Sequence, residues 1–118
     1  MHEYPATKRI IEIAEKYALG NGAGGVTAIN LVVGEASGYV PDSIELYFPI
    51  IANGTLCENA RLRIKSPKAM LRCGKCGRLF MRRPFMFACP GPGCGGEGGP
   101  TELGREFYVE SIEIEFKG

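Results

Sequence analysis

The sequence predicts an α+β fold: two helices packed on a three-stranded sheet, with a cysteine-bearing module inserted ahead of the last strand. Three observations predict it. Apolar residues recur at helical spacing in two segments. They alternate, or run β-branched, in three others. Residues 67–103 break both patterns, holding four of the five cysteines in a glycine-dense stretch. At 118 residues and 45% hydrophobic content, the chain can bury one real core and carry a small appendage. The expected division is 1–66 with 104–118 as the α/β part and 67–103 as the inserted module.

The first helix rests on Ile10, Ile11, Ala14, Tyr17 and Ala18, which form one stripe. Pro5 suits an early helical position, and Gly20-Asn21-Gly22 supplies the stop. Val26 to Glu35 is rich in Val, Ile and Thr and reads as a strand. Gly34 to Gly38 reads as a turn. Pro41-Asp42-Ser43 opens a second helix, with Ile44, Tyr47, Phe48 and Ile51 on one face. Pro49 should kink that helix or end it early, because it lacks an amide donor and clashes with the preceding turn. Ala60, Leu62 and Ile64 alternate with Arg61, Arg63 and Lys65, a half-exposed second strand. Residues 106–117 give the third, with Ile112, Ile114 and Phe116 toward the core and Glu113, Glu115 and Lys117 outward.

Charge is distributed unevenly. The net value is +1, yet residues 61–96 hold nine cations and no acid, while both flanks are net acidic. Such a run fits nucleic-acid phosphates or an acidic protein surface; Arg61, Arg63 and Lys65 fit equally the solvated face of a strand. No apolar run approaches the roughly 20 residues that span a bilayer. The Met-His-Glu-Tyr-Pro opening lacks a charged start followed by an apolar stretch. A cytoplasmic location is therefore expected, where cysteine clusters read as metal sites before disulfides.

Cys73-Gly-Lys-Cys76-Gly is a tight knuckle, and Cys89-Pro-Gly-Pro-Gly-Cys94-Gly is a second, wider pair. Together they offer the four-thiolate tetrahedron of structural zinc; disulfides and free thiols are the competing readings. Phe80, Phe85 and Phe87 are the module's only aromatics, so metal should supply much of its folding energy. Cys57 is left over and reads as a partly buried small apolar residue.

His2 is the single histidine. The Met1 amine, the His2 backbone nitrogen and the His2 ring can converge on one ion. That nitrogen-rich planar set suits Ni(II) or Cu(II) better than Zn(II). The competing reading is a frayed terminus. No catalytic constellation emerges: no phosphate-cradling glycine loop, no nucleophile elbow, and no partner for Glu35.

The whole set of motifs resembles one family. Met1-His2-Glu3, Val33-Gly34-Glu35-Ala36-Ser37-Gly38, Val40-Pro41-Asp42-Ser43-Ile44, the two cysteine pairs, Gly104-Arg105-Glu106 and Glu110-Ser111-Ile112-Glu113 stand in the order of the HypA/HybF hydrogenase nickel-incorporation proteins. The resemblance implies a nickel metallochaperone, not an enzyme, acting in maturation of [NiFe]-hydrogenase. It implies a nickel site on Met1, His2 and Glu3, and structural zinc on Cys73, Cys76, Cys89 and Cys94. It implies as partners a HypB-type GTPase, the hydrogenase large-subunit precursor and, in some organisms, urease maturation proteins, with the chain a monomer or weak homodimer. Two departures stand out: the Cys-Pro-Gly-Pro-Gly-Cys spacing is longer than the family's, and Pro49 interrupts the second helix. The alternative function is a zinc-ribbon module that binds nucleic acid or protein.

Overall fold

The computed structural model describes residues 3–82 and 86–116. Helix α1 (Glu3–Gly20) leads into strand β1 (Gly25–Val33), helix α2 (Pro41–Ala52) and strand β2 (Arg61–Lys65). Three short strands follow, β3 (Met70–Cys73), β4 (Leu79–Met81) and β5 (Gly98–Pro100), and β6 (Phe107–Glu115) closes the chain. β1 is the centre of the first sheet, parallel to β2 and antiparallel to β6. The parallel pair needs a crossover, and α2 provides it. A second sheet, ordered β4-β3-β5, is antiparallel throughout. The molecule is elongated, 64 × 27 × 16 Å. Among the described residues, no helix is long and apolar enough to cross a membrane.

The main core lies between the helices and the first sheet. Ile10, Ile11, Ala14 and Ala18 of α1 and Ile44 and Phe48 of α2 meet Val26, Ile29, Leu31 and Val33 of β1. Burying side chains of this size removes about 1.5–3 kcal/mol of unfavourable hydration each, before entropy is counted. Two bulges decide which strand residues join this core. Val26 pairs with Ile114 and Ala28 with Glu113, so Thr27 is an extra residue in β1; Asn30 pairs with Ser111 and Leu31 with Val109, so Glu110 is extra in β6. Each bulge reverses the alternation beyond it. Val109 and Ile112, an odd spacing apart, thus face the same core. The opposite face is polar, with Asn30 donating to Ser111 (3.0 Å) and ion pairs Arg63–Glu113 (2.6 Å) and Lys65–Glu110 (3.1 Å).

Several expectations need correction. Tyr17 does not join the α1 stripe inward; it is 64% exposed, at the margin of the apolar face. Phe116 is 68% exposed because pairing ends one residue earlier, where Glu115 meets Gly25, the first residue of β1. Pro49 does not end α2, which continues to Ala52. Pro49 is on the exposed face, and only one turn remains beyond it. The end is instead capped by Thr55, whose hydroxyl donates to the Ala52 carbonyl at 2.6 Å. Cys57 is fully buried, not partly so. Residues 67–103, where the sequence pattern marks no strand, contain the short strands β3, β4 and β5 among the described residues.

Between the two sheets the chain crosses twice, and the Gly34–Gly38 turn grips both crossings. The Glu35 amide donates to the Pro67 carbonyl (2.8 Å), and its carboxylate accepts from the Ala69 amide (3.1 Å) with Lys68 Nζ at 3.8 Å. The Gly34 amide donates to Glu106 O and the Ala36 amide to Gly104 O, both at 2.7 Å. A Cβ on Gly34 would lie 2.1 Å from the Gly104 oxygen, so only glycine permits this approach. Glu35, which has no partner by sequence inspection, is therefore a clasp.

Candidate metal centre

β3 delivers Cys73 to the first turn, buried, and the chain reverses through Gly74-Lys75-Cys76 into β4. The Gly77 amide donates back to the Cys73 carbonyl (3.0 Å), with Gly77 at φ 79°, a left-handed value that suits glycine. The Cys73 amide donates to the Arg78 carbonyl at 2.9 Å, closing the knuckle. The Arg72 guanidinium braces it by donating to the Gly77 carbonyl at 3.0 Å.

The second knuckle is tied to the first through Glu97. Its carbonyl accepts from Gly74 (3.1 Å), while an isolated bridge joins it to Ala88, and Cys89 N donates to Gly96 O (2.9 Å). The extra length of Pro90-Gly91-Pro92-Gly93 is taken up as a turn, with Cys94 N donating to Gly91 O at 3.1 Å and Gly93 and Gly95 both at φ 68°. The wide spacing therefore does not keep the sulfurs apart.

All four sulfurs, of Cys73, Cys76, Cys89 and Cys94, lie within 4.8 Å of one another. Cys73 Sγ and Cys94 Sγ are 3.5 Å apart, and Cys76 Sγ and Cys89 Sγ 3.7 Å. A zinc tetrahedron with Zn–S near 2.3 Å has S···S edges of about 3.8 Å. The donor set and its spacing fit zinc. Backbone amides already point at the sulfurs: Lys75 and Cys76 donate to Cys73 Sγ (3.3 and 3.4 Å), and Gly91 donates to Cys89 Sγ (3.3 Å). Those of Cys76 and Lys75 hold the Cys73 thiol down at about 6. At Cys89 the Gly91 amide also lowers, but desolvation and the neighbouring sulfurs outweigh it and push the thiol up to about 11. Four sulfurs this close resist sharing further negative charge, and a dication removes that resistance. Gly96 is a residue that the cysteine spacing does not reveal; a Cβ there would stand 2.6 Å from Cys73 Sγ. Its only signal in the sequence is the Cys94-Gly95-Gly96 run.

The other candidate site, Met1 and His2, lies outside the described residues; Glu3 lies within them. Glu3 opens α1 and is 8% exposed. Its carboxylate accepts from the Val40 amide (3.1 Å), at the start of α2, and its carbonyl accepts from the Thr7 hydroxyl (2.6 Å). The Glu3 side chain thus fastens the beginning of α1 to the beginning of α2. Cys57 sits apart, in the main core, its thiol pushed up to about 11 by burial and by the nearby Glu15.

Comparison with known proteins gives one consistent picture. A family model described as "Hydrogenase/urease nickel incorporation, metallochaperone, hypA" matches residues 1–114. The hydrogenase maturation factor HypA of Caldanaerobacter subterraneus subsp. tengcongensis is 37% identical over 116 residues, covering 98% of this chain and 100% of that one. That of Geobacter metallireducens is 38% identical over 115 residues, with the same coverage. The solution structure of the Ni metallochaperone HypA from Helicobacter pylori has a similar fold, with TM-score 0.64, 23% identity and 98% of each chain covered. Another HypA solution structure gives 0.67 at 22% identity, over 99% of this chain and 98% of that one.

Proposed function

The chain belongs to the HypA family of nickel-incorporation metallochaperones, and on that premise we propose that it holds Ni(II) at Met1, His2 and Glu3 and passes it on during hydrogenase maturation. The family match over residues 1–114 carries this reading. The first amine, the backbone nitrogens and the His2 ring supply a planar nitrogen set suited to nickel. Glu3 contributes its backbone, and its carboxylate accepts from the Val40 amide. A site of few ligands at a chain end can be approached and dismantled by an acceptor, as a carrier requires.

Zinc is the scaffold in this division of labour. Cys73, Cys76, Cys89 and Cys94 hold it, and four thiolates bind it far more persistently than a terminal chelate binds nickel. The two sheets, each with its own apolar cluster, support treating 1–66 with 104–118 as the nickel-handling part and 67–103 as the zinc part. The chain itself catalyses nothing in this reading. It acts in the cytoplasm with a HypB-type GTPase and the hydrogenase large-subunit precursor; in some organisms the family also serves urease maturation.

The test is a nickel titration of the untagged protein, followed by the visible absorption of planar Ni(II). Near-stoichiometric binding is expected, abolished by His2→Ala and by any residue added before Met1. Full nickel retention by the N-terminally extended protein would overturn the assignment.

A further inference from the structure

The module sheet has two faces, and only one is filled. Leu71 and Phe80 stand opposite each other on β3 and β4 and pack inward with Cys73. The alternate positions point the other way: Met70 is opposite Met81, Arg72 opposite Leu79, and Gly99 of β5 lies beside Arg72. Leu79 and Met81 are 39% and 55% exposed, Met86 and Phe87 56% and 53%. Met81 and Met86 line one shallow pocket of about 190 Å³ together with Phe80, Ala88 and Cys89, so it lies at the edge of the sheet where the two faces meet. Scattered apolar residues on a surface need no explanation, but a gathered set in a small module does.

The charges around this face are unmatched. Arg63, Lys65 and Lys68 each meet a glutamate. Arg72, Lys75, Arg78 and Arg82 are exposed, and among the described residues none makes an ion pair. From residue 67 to residue 96 there is no carboxylate at all.

We propose that this surface, Leu79, Met81 and Met86 fringed by Arg72, Arg78 and Arg82, docks an acidic segment of a partner protein that also carries apolar side chains. Charge complementarity selects the occupant. Unpaired arginines gain from carboxylates, with which they form planar two-point contacts. Flexible methionines repack around varied apolar side chains. A second copy would set the same arginines against each other, at a repulsive cost. Single-stranded nucleic acid wants stacking platforms, and among the described residues this surface offers mainly aliphatic and thioether groups. The surface does not depend on nickel, so its failure would leave the nickel reading untouched.

The experiment uses the zinc-loaded full chain and a short synthetic peptide in which glutamates alternate with leucine and phenylalanine. Saturable shifts of the Leu79, Met81 and Met86 methyl resonances are expected, and a lysine-for-glutamate peptide should produce none. Met81→Ser and, separately, Arg82→Glu should each weaken binding about tenfold or more, about 1.4 kcal/mol, while zinc and nickel content stay at the wild-type level. The charge reversal is at an exposed position outside the cysteine knuckles, so it tests the surface even if Met81→Ser perturbs the sheet. Absence of saturable shifts, or shifts that map elsewhere, overturns the proposal. So does tighter binding of oligouridylate at these residues, which makes the face a nucleic-acid surface, or concentration-dependent self-association through it, which makes it a dimer contact.

Discussion

Gly96 and Gly34 show how single atoms decide both metal site and joint. At Gly96, a methyl would press on Cys73 Sγ at 2.6 Å and on Lys75 Cβ at 2.8 Å. Gly96→Ala should weaken zinc affinity about 10–100-fold, the range seen when the surroundings of metal ligands are disturbed, as read by competition with a chromophoric chelator. At Gly34 the obstacle is backbone, the Gly104 carbonyl. Gly34→Ala should cost about 1–3 kcal/mol or more in urea unfolding, the penalty for overpacking. Cys57 carries a pH signature. Its folded value of about 11 lies above the ordinary 9.0, so the fold favours the neutral thiol. That preference is fully present below pH 9 and is lost as pH rises toward 11, because the unfolded thiol ionises first. Wild-type stability should therefore fall by about 1–2 kcal/mol relative to Cys57→Ala over that window. Equal pH profiles for the two proteins would show that the thiol is not held in the core.

At the scale of elements, α2 carries a proline that the rest of the molecule tolerates. Pro49 is exposed and leaves the Glu45 carbonyl without its helical donor, while Ile44, Phe48 and Ala52 bury the opposite face. Packing holds the helix against that local cost. Pro49→Ala should therefore stabilise the protein, by about 1 kcal/mol or more, since a helical proline costs about 3 kcal/mol and its removal frees some unfolded-state entropy. A lower thermal midpoint for the variant would contradict this account. The same competition explains why Phe116 and Tyr17 stand outside. An apolar residue joins a core only where a facing element exists, and β1 begins too late to cover Phe116.

For the molecule as a whole, the two sheets draw their stability from different sources. Among the described residues, the α/β part has a cluster of thirteen buried residues, whereas the module's cluster has three, with Cys89 and Cys94 packed against it. Stripping zinc with a strong chelator should melt β3, β4 and β5 and leave β1 and the helices folded. Hydrogen exchange should then be fast at Leu71 and Phe80 and still slow at Ile29 and Leu31. Uniform loss of protection would mean that the Gly34–Gly104 joint makes the chain one cooperative unit. Because the thiols must lose protons to bind, zinc retention should weaken steadily as pH falls below neutrality.

Local chemistry determined much of this protein without help from distant residues. The helix stripe at Ile10, Ile11 and Ala14, the sheet of β1, β2 and β6, and the paired cysteines all follow from spacing, because period and ligand geometry are properties of short segments. The family likeness was legible for the same reason, in motifs a few residues long. Tertiary structure alone decided the rest. The bulges at Thr27 and Glu110 choose which strand faces meet the helices, and pairing across 80 residues has no local signature. Glu35 becomes a clasp only when Pro67 and Ala69 arrive beside it, and Gly96 becomes indispensable only when Cys73 folds against it. Contacts between residues far apart in the chain depend on how elements pack, and short-range pattern carries no record of that.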